Sequence, residues 1–155
     1  MPTFEGLSLR QAERADVDGI VDLLADDPLG KARERPGDPV YMTVFRDIEH
    51  DPNNEIWVLD AGDGTIAGVL QLTFIPGLSR LGALRAMIES VRVGNAWQGK
   101  GVGRWLFERM IERARERGAQ LVQLTSDKAR PDAIRFYESL GFVASHEGFK
   151  LKLDG

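Results

Sequence analysis

The chain has no cysteine and only two histidines. A disulfide framework, a thiolate zinc site and a cysteine nucleophile are therefore excluded. It also lacks an excess of positive charge. Twenty Lys and Arg stand against 24 Asp and Glu, a formal net charge of −4. Nucleic-acid binding usually needs a basic face, so no nucleic-acid partner is expected. No apolar run approaches the roughly 20 residues of a membrane span, so no membrane partner is expected either. The segment Met1-Pro2-Thr3-Phe4-Glu5 has neither the basic nor the apolar region of a secretory leader, which points to the cytoplasm. Repeats, low-complexity tracts and linkers are missing too. With 43% hydrophobic and 28% charged residues over 155 positions, 1–155 reads as one globular domain.

What is present is an alternation of strand and helix patterns. Leu7–Arg10 alternates as a first strand, and Val17, Ile20, Val21 and Leu24 mark a helix with Asp16 as its N-cap. The segment from Pro28 to Pro39 reads as a loop, and Val40–Ile48 as a second helix. Glu55–Asp60 and Thr65–Phe74 form a hairpin across Asp63-Gly64. The later ligands of a calcium loop are missing there, and no metal site is expected. After a loop at 75–82, Leu84–Val93 is the next strand. Val102, Leu106, Met110 and Ala114, widened by Phe107 and Ile111, form the apolar stripe of a long helix that Gly118 ends. Leu121–Thr125 is a short strand and Pro131–Leu140 a helix stopped by Gly141. Phe142–Ala144 and Gly148–Leu153 read as two closing strands. The order predicts an α/β (α+β) fold: a mixed, mostly antiparallel sheet of about seven strands flanked by about four helices.

The segment richest in chemistry is Gln98-Gly99-Lys100-Gly101-Val102-Gly103, between a strand and the long helix. Three alternate glycines leave backbone N–H groups free to crowd around an anion, and the helix adds its positive N-terminal end. That is a cradle for a pyrophosphate. Gly94-x4-Gly99-Lys100 approaches a nucleotide-triphosphate loop, but position 101 is glycine where that loop needs Ser or Thr. The spacing Gly99-x-Gly101-x-Gly103 also misses the dinucleotide G-x-G-x-x-G, and four strands precede it. A glycine-rich structural turn is the remaining reading.

The run Gln98–Gly103 resembles the (Arg/Gln)-x-x-Gly-x-(Gly/Ala) signature of the GNAT N-acetyltransferases. The segment Ala133-Ile134-Arg135-Phe136-Tyr137-Glu138-Ser139-Leu140-Gly141-Phe142 is similar to that family's second signature, at the usual separation. The resemblance runs from Leu7 to Leu153. It departs at Arg130, where the family often has an asparagine that helps hold pantetheine.

The resemblance implies acetyl-CoA as co-substrate and a primary amine of a small molecule as acceptor, joined by direct transfer in a ternary complex. A homodimer is a family-level expectation. Cofactor contacts would come from the backbone of Gln98, Gly99, Lys100, Gly101, Val102, Gly103 and Arg104, with Lys100 and Arg104 as screening cations. The family's preceding strand carries a bulge and splays from its neighbour, which would let Val91, Arg92 and Val93 pair with pantetheine like an added strand. Ala133, Phe136 and Tyr137 belong to the second motif, and Arg130 could meet a phosphate. Tyr137 matches the tyrosine that faces the CoA sulfur, which makes it the general acid. Its alternative is a core tyrosine packed by Phe136 and Phe142.

Glu89 is the candidate base, acting through water. Its neighbours are apolar, and enclosure would raise its pKa toward a useful range. An exposed strand glutamate is the alternative. His146, in Ser145-His146-Glu147-Gly148, belongs to a tail that looks like the aminoalkylphosphonate acetyltransferases, as does Lys128-x-Arg130-x-Asp132-Ala133. It is either near the acceptor or a solvated turn histidine. Tyr41, Arg46, Arg80 and Arg85 are candidate acceptor walls, and Arg side chains there would clamp an acidic acceptor. Asp26, Asp27, Asp47 and Glu49 would equally favour a polyamine or aminoglycoside. A non-catalytic CoA-binding or interaction domain on the same fold is the rival function.

Overall fold

The computed structural model describes residues 2–128 and 130–154. Met1, Ala129 and Gly155, which fall inside the expected domain and the Lys128-x-Arg130 pattern, lie outside the described residues. The elements are β1 (Thr3–Phe4), β2 (Leu7–Gln11), α1 (Val17–Ala25), α2 (Pro28–Arg33), α3 (Val40–Glu49), β3 (Asn54–Asp60), β4 (Ile66–Pro76), α4 (Ser79–Gly82), β5 (Leu84–Val93), α5 (Val102–Glu116), β6 (Leu121–Gln123) and α6 (Pro131–Ser139). Six strands form one sheet in sequence order, antiparallel except for β5–β6.

Helices cover both faces because side chains alternate along each strand. Val58 packs with Ile20 of α1, while its neighbour Leu59 joins the cluster that holds Leu106, Phe107 and Met110 of α5. The α5 stripe is buried at Val102, Leu106, Phe107, Met110 and Ala114, as its 3.6-residue spacing requires. No described helix is long and apolar enough to cross a membrane.

Several local expectations need correction. Asp16 stands at the N-cap position of α1 but its side chain makes no cap hydrogen bond. Its carboxylate is drawn back to Arg10 (2.7 Å) and to the Glu13 N–H (2.7 Å), and a 3-10 turn over Arg14–Asp16 leads into the helix instead. The expected loop 28–39 begins with α2, started by Pro28 at its first turn and by Asp27, which accepts from the Gly30 N–H. Gly30 is required there, since a Cβ would sit 1.9 Å from the Leu24 carbonyl. The two closing strands are absent: residues 142–154 form no ladder, and the sheet has six strands rather than seven. Residues 149–153 alternate in sequence but pair with no strand among the described residues.

Candidate active site

Pairing between β4 and β5 shifts register between Val69–Arg92 and Gln71–Glu89. Two residues of β5, Ser90 and Val91, oppose the single Leu70 of β4, so β5 carries a bulge. Ser90 sits in it with φ 55, a left-handed conformation rare outside glycine. Strain of that kind clusters at functional sites. β5 pairs with β6 only through Arg85–Met87, so its second half parts from β6. Both the bulge and the splay agree with the resemblance.

The consequence for Val93 is direct. Gly94 N–H donates to the Ala67 carbonyl (2.8 Å), which makes Gly68–Val93 a non-hydrogen-bonded pair. The N–H and C=O of Val93 therefore point away from β4, to the side that β6 has left. The Val93 carbonyl accepts from Gln98 Nε2 (3.0 Å). The Val91 carbonyl accepts from Arg92 Nη1 (2.8 Å).

A cleft of about 550 Å³ opens at this edge. Val91, Arg92, Val93, Asn95 and Gln98 form one wall, Leu23, Asp26, Asp27, Pro28 and Leu29 of the α1–α2 corner face them, and Asp127 and Arg130 complete the lining. Asp27 ties the walls together, 3.3 Å from Arg92 Nε and 3.4 Å from Arg130 Nη2. The Gly30 N–H, then the two guanidinium charges, hold its carboxyl below the ordinary aspartate range. Asp27 thus fixes Arg130 in the lining of the cleft. The sequence reading placed Asp27 only among nearby acids, because the α2 turn that aims it was not foreseen.

Beyond the cleft lies the glycine turn. Gly99 (φ 77) and Gly101 (φ 79) are left-handed, and Gly101 caps α5. A Cβ at Gly99 would meet nothing within 4 Å, and at Gly101 only Phe4 Cζ at 3.9 Å. The space over the helix N-terminus is open for an anion. Lys100 is exposed and has no ion pair among the described residues. Arg104 is turned the other way, to the Ser139 hydroxyl (3.1 Å) and Glu108 (3.6 Å), so it links α5 to α6.

Tyr137 is half-buried on α6, where Ala133 is also partly enclosed. Its ring lies 5.5 Å from Phe107, 5.6 Å from Phe136 and 6.1 Å from Phe142. Burial pushes its hydroxyl above the ordinary tyrosine pKa, opposed by the charges of Arg130 and Arg92. The fields of both cleft arginines thus reach the phenol. Glu89 is exposed, so the enclosure expected around it is absent.

The cleft lining does not include Tyr41, Arg80 or His146. Tyr41 donates to Glu34 (2.9 Å) and accepts from the Arg35 N–H (2.8 Å), which fixes the loop before α3. Arg80 lies in the left-handed turn of α4, and His146 is exposed beside the Ser145 hydroxyl (2.7 Å).

The profile of the Acetyltransferase (GNAT) family matches residues 17–142. The chain belongs to that family. A GNAT relative, the streptothricin acetyltransferase of Streptomyces lavendulae, is 29% identical over 91% of this chain and 82% of its own. In structure the chain is similar to a Bacillus halodurans protein described as a transcriptional regulator (TM-score 0.90, 49% identity, 95% of this chain and 99% of that one). It is also similar to a Trypanosoma brucei acetyltransferase (TM-score 0.80, 28% identity, 95% and 99%). The split between β5 and β6 and the α5 cap therefore belong to a GNAT acetyltransferase.

Proposed function

We propose that this GNAT enzyme moves an acetyl group from acetyl-CoA to a primary amine of a small molecule, directly, within a ternary complex. The observation that carries the reading is the Val93 edge, turned by the bulge toward an open cleft. When bound, acetyl-CoA supplies an activated acetyl thioester. The chain fits it: the left-handed turn at Gly99 and Gly101 leaves its N–H groups uncovered for the pyrophosphate, with Lys100 as a screening cation. The main chain of Val91 and Val93 lines the path of the pantetheine. The Val93 N–H is the donor for a developing oxyanion, an interaction worth roughly 3–4 kcal/mol in model systems.

Proton movement falls to two side chains. Tyr137 holds a proton for the departing thiolate, and its raised pKa keeps the phenol neutral at physiological pH. Glu89 takes the ammonium proton through water and is open to solvent for that purpose. The cleft sets Asp26, Asp27 and Asp127 against Arg92 and Arg130, which suits an amine bearing polar groups of both signs. Streptothricin, from the relative's name, is the first acceptor to assay.

Calorimetric titration with acetyl-CoA, with magnesium-ATP as control, tests the reading. Micromolar acetyl-CoA binding without an ATP response is expected. No acetyl-CoA binding would hand the fold to the interaction-domain alternative.

Two variants sharpen it. Gly101→Val places a β-branched residue at φ 79 and projects it over the α5 N-terminus. The side chain takes the space left for the pyrophosphate, so affinity for CoA should fall by at least about tenfold, while the backbone strain of about 1–2 kcal/mol lowers stability and leaves the fold intact by circular dichroism. Unchanged affinity would move the pyrophosphate elsewhere. Glu89→Gln should remove or shift the acidic limb of the pH–rate profile. An unaltered limb would assign the base to another group, with His146 next.

A further inference from the structure

One face of the sheet is apolar at one end and polar at the other. Val58 and Val69 pack there against Ile20 of α1. Because side chains alternate, Asn54 of β3, Gln71 and Thr73 of β4 and Glu89 of β5 stand on the same face, further along the strands. Gln71 and Glu89 are register partners, and residues so placed have Cβ atoms about 4.5–5.5 Å apart. Ser90, in the bulge, follows Glu89 directly, and the Val91–Val93 edge lies just beyond it.

Hydrogen bonding fixes which way the Gln71 amide is turned. The Asn53 N–H (2.8 Å) and the Asn54 amide (2.7 Å) hold the Asp51 carboxyl below the ordinary aspartate range, so it is ionised and can only accept. Asn54 therefore gives its NH2 to Asp51 and turns its oxygen to β4. That oxygen accepts from the Thr73 hydroxyl (2.6 Å) and from Gln71 Nε2 (3.3 Å). An amide oxygen cannot donate, so Gln71 presents its NH2 to Asn54 and keeps its own oxygen uncommitted. Neither Gln71 Oε1 nor the Glu89 carboxylate has a hydrogen-bond or ion-pair partner among the described residues. Two acceptors and a negative charge thus stand side by side with no donor between them. Water meets such groups anywhere on a sheet face. Here they lie beside the bulge that turns Val93 toward the cleft. An ammonium group brings three N–H donors and the opposite charge.

On the reading that Glu89 takes the ammonium proton through water, we propose that Gln71 Oε1 holds the acceptor nitrogen beside Glu89, and that Asp51 and Asn54 set the Gln71 amide for that task. With the amide reversed, its NH2 would face the ammonium and repel it. Gln71 is then a specificity-determining residue for a protonated primary amine. Once the amine is neutral, the Gln71 oxygen keeps one N–H and leaves the lone pair free for the acyl carbon. Asn54 is a positioning residue that acts through Gln71.

Gln71→Met keeps the length of the side chain and removes its oxygen. The probes are streptothricin and methylamine, the second carrying no polar group but its ammonium. Thiol release from acetyl-CoA should show KM for both amines raised at least about tenfold, the size of one hydrogen bond to a charged group. The loss should fall on KM rather than kcat. Acetyl-CoA affinity by calorimetry and the circular dichroism should hold. Asn54→Ala should also raise both amine KM values, but should add nothing in the Gln71→Met background. An unchanged amine KM in Gln71→Met would overturn the proposal. So would an equal loss of acetyl-CoA affinity, or an Asn54→Ala effect undiminished in the double variant. If the native enzyme binds acetyl-CoA yet acetylates neither amine, transfer to a small amine falls and this site with it. Turnover that ignores Gln71 removes the site alone.

Discussion

Tyr137→Phe should lower turnover by at least about tenfold while leaving the affinity for acetyl-CoA nearly unchanged. General acid–base catalysis contributes about 10²–10⁴-fold where no other proton source competes, and water at the cleft sets the lower figure. The variant isolates the hydroxyl. The ring keeps its edge contacts with Phe107, Phe136 and Phe142, so packing and the position of α6 are retained. A loss confined to kcat with KM unchanged marks an interaction realised only in the transition state.

The pH dependence separates this from a packing effect. Tyr137 must be protonated to act, and burial raises its pKa despite Arg130 and Arg92. The native enzyme should therefore hold its activity up to, and past, the ordinary tyrosine value of about 10 before this group is lost. The Phe variant should show no basic limb of that origin. Equal turnover across the pH range would return Tyr137 to the core cluster.

Much of this site was readable from residues because its parts are local. The glycine turn, the α5 stripe and the Ala133–Phe142 motif each declare themselves within ten or fifteen positions. The bulge followed from family likeness alone: nothing in Met87-Ile88-Glu89-Ser90-Val91 requires a left-handed Ser90, which the pairing of β4 imposes. Asp27 shows a second limit. Its role depends on Arg92 and Arg130, which are 65 and 103 positions away in the chain and meet it only across the cleft. The signal that could have found it was Asp27-Pro28 with Gly30, an N-cap and first-turn proline inside a stretch read as loop. The tail marks the opposite case. Its alternation predicts two strands, but alternation names no partner, and residues 142–154 pair with no strand among the described residues.

Glu55→Ala should be the most destabilising substitution of a charged residue, at about 3 kcal/mol, the low end for breaking a buried ion pair. Glu55 is 7% exposed on β3 and accepts from Arg113 (3.1 and 2.7 Å), Arg117 (2.8 Å) and the Trp57 indole (2.9 Å). It thereby ties the C-terminal end of α5 to the sheet. The low end applies because Arg113 and Arg117 keep a route to water and stack over Trp57 and Phe74 (5.8 and 4.1 Å) when the carboxylate is gone. For a chain of this length, about 3 kcal/mol lowers Tm by roughly 6–12 °C. Burial alone would raise the Glu55 pKa, but the hydrogen bonds from Arg113 and Trp57 and the two positive charges outweigh it and hold it below the usual glutamate value. A depressed pKa contributes stability that is complete above the unfolded value, near 4.3, and is lost as pH falls through the folded one. Glu55→Ala should therefore be least stable relative to the native chain at neutral pH, and the two melting curves should converge in acid. Parallel loss of Tm at every pH would mean that Glu55 acts through packing and not through its charge. The exposed pair Arg14–Glu49 supplies the control: Arg14→Ala should leave Tm unchanged.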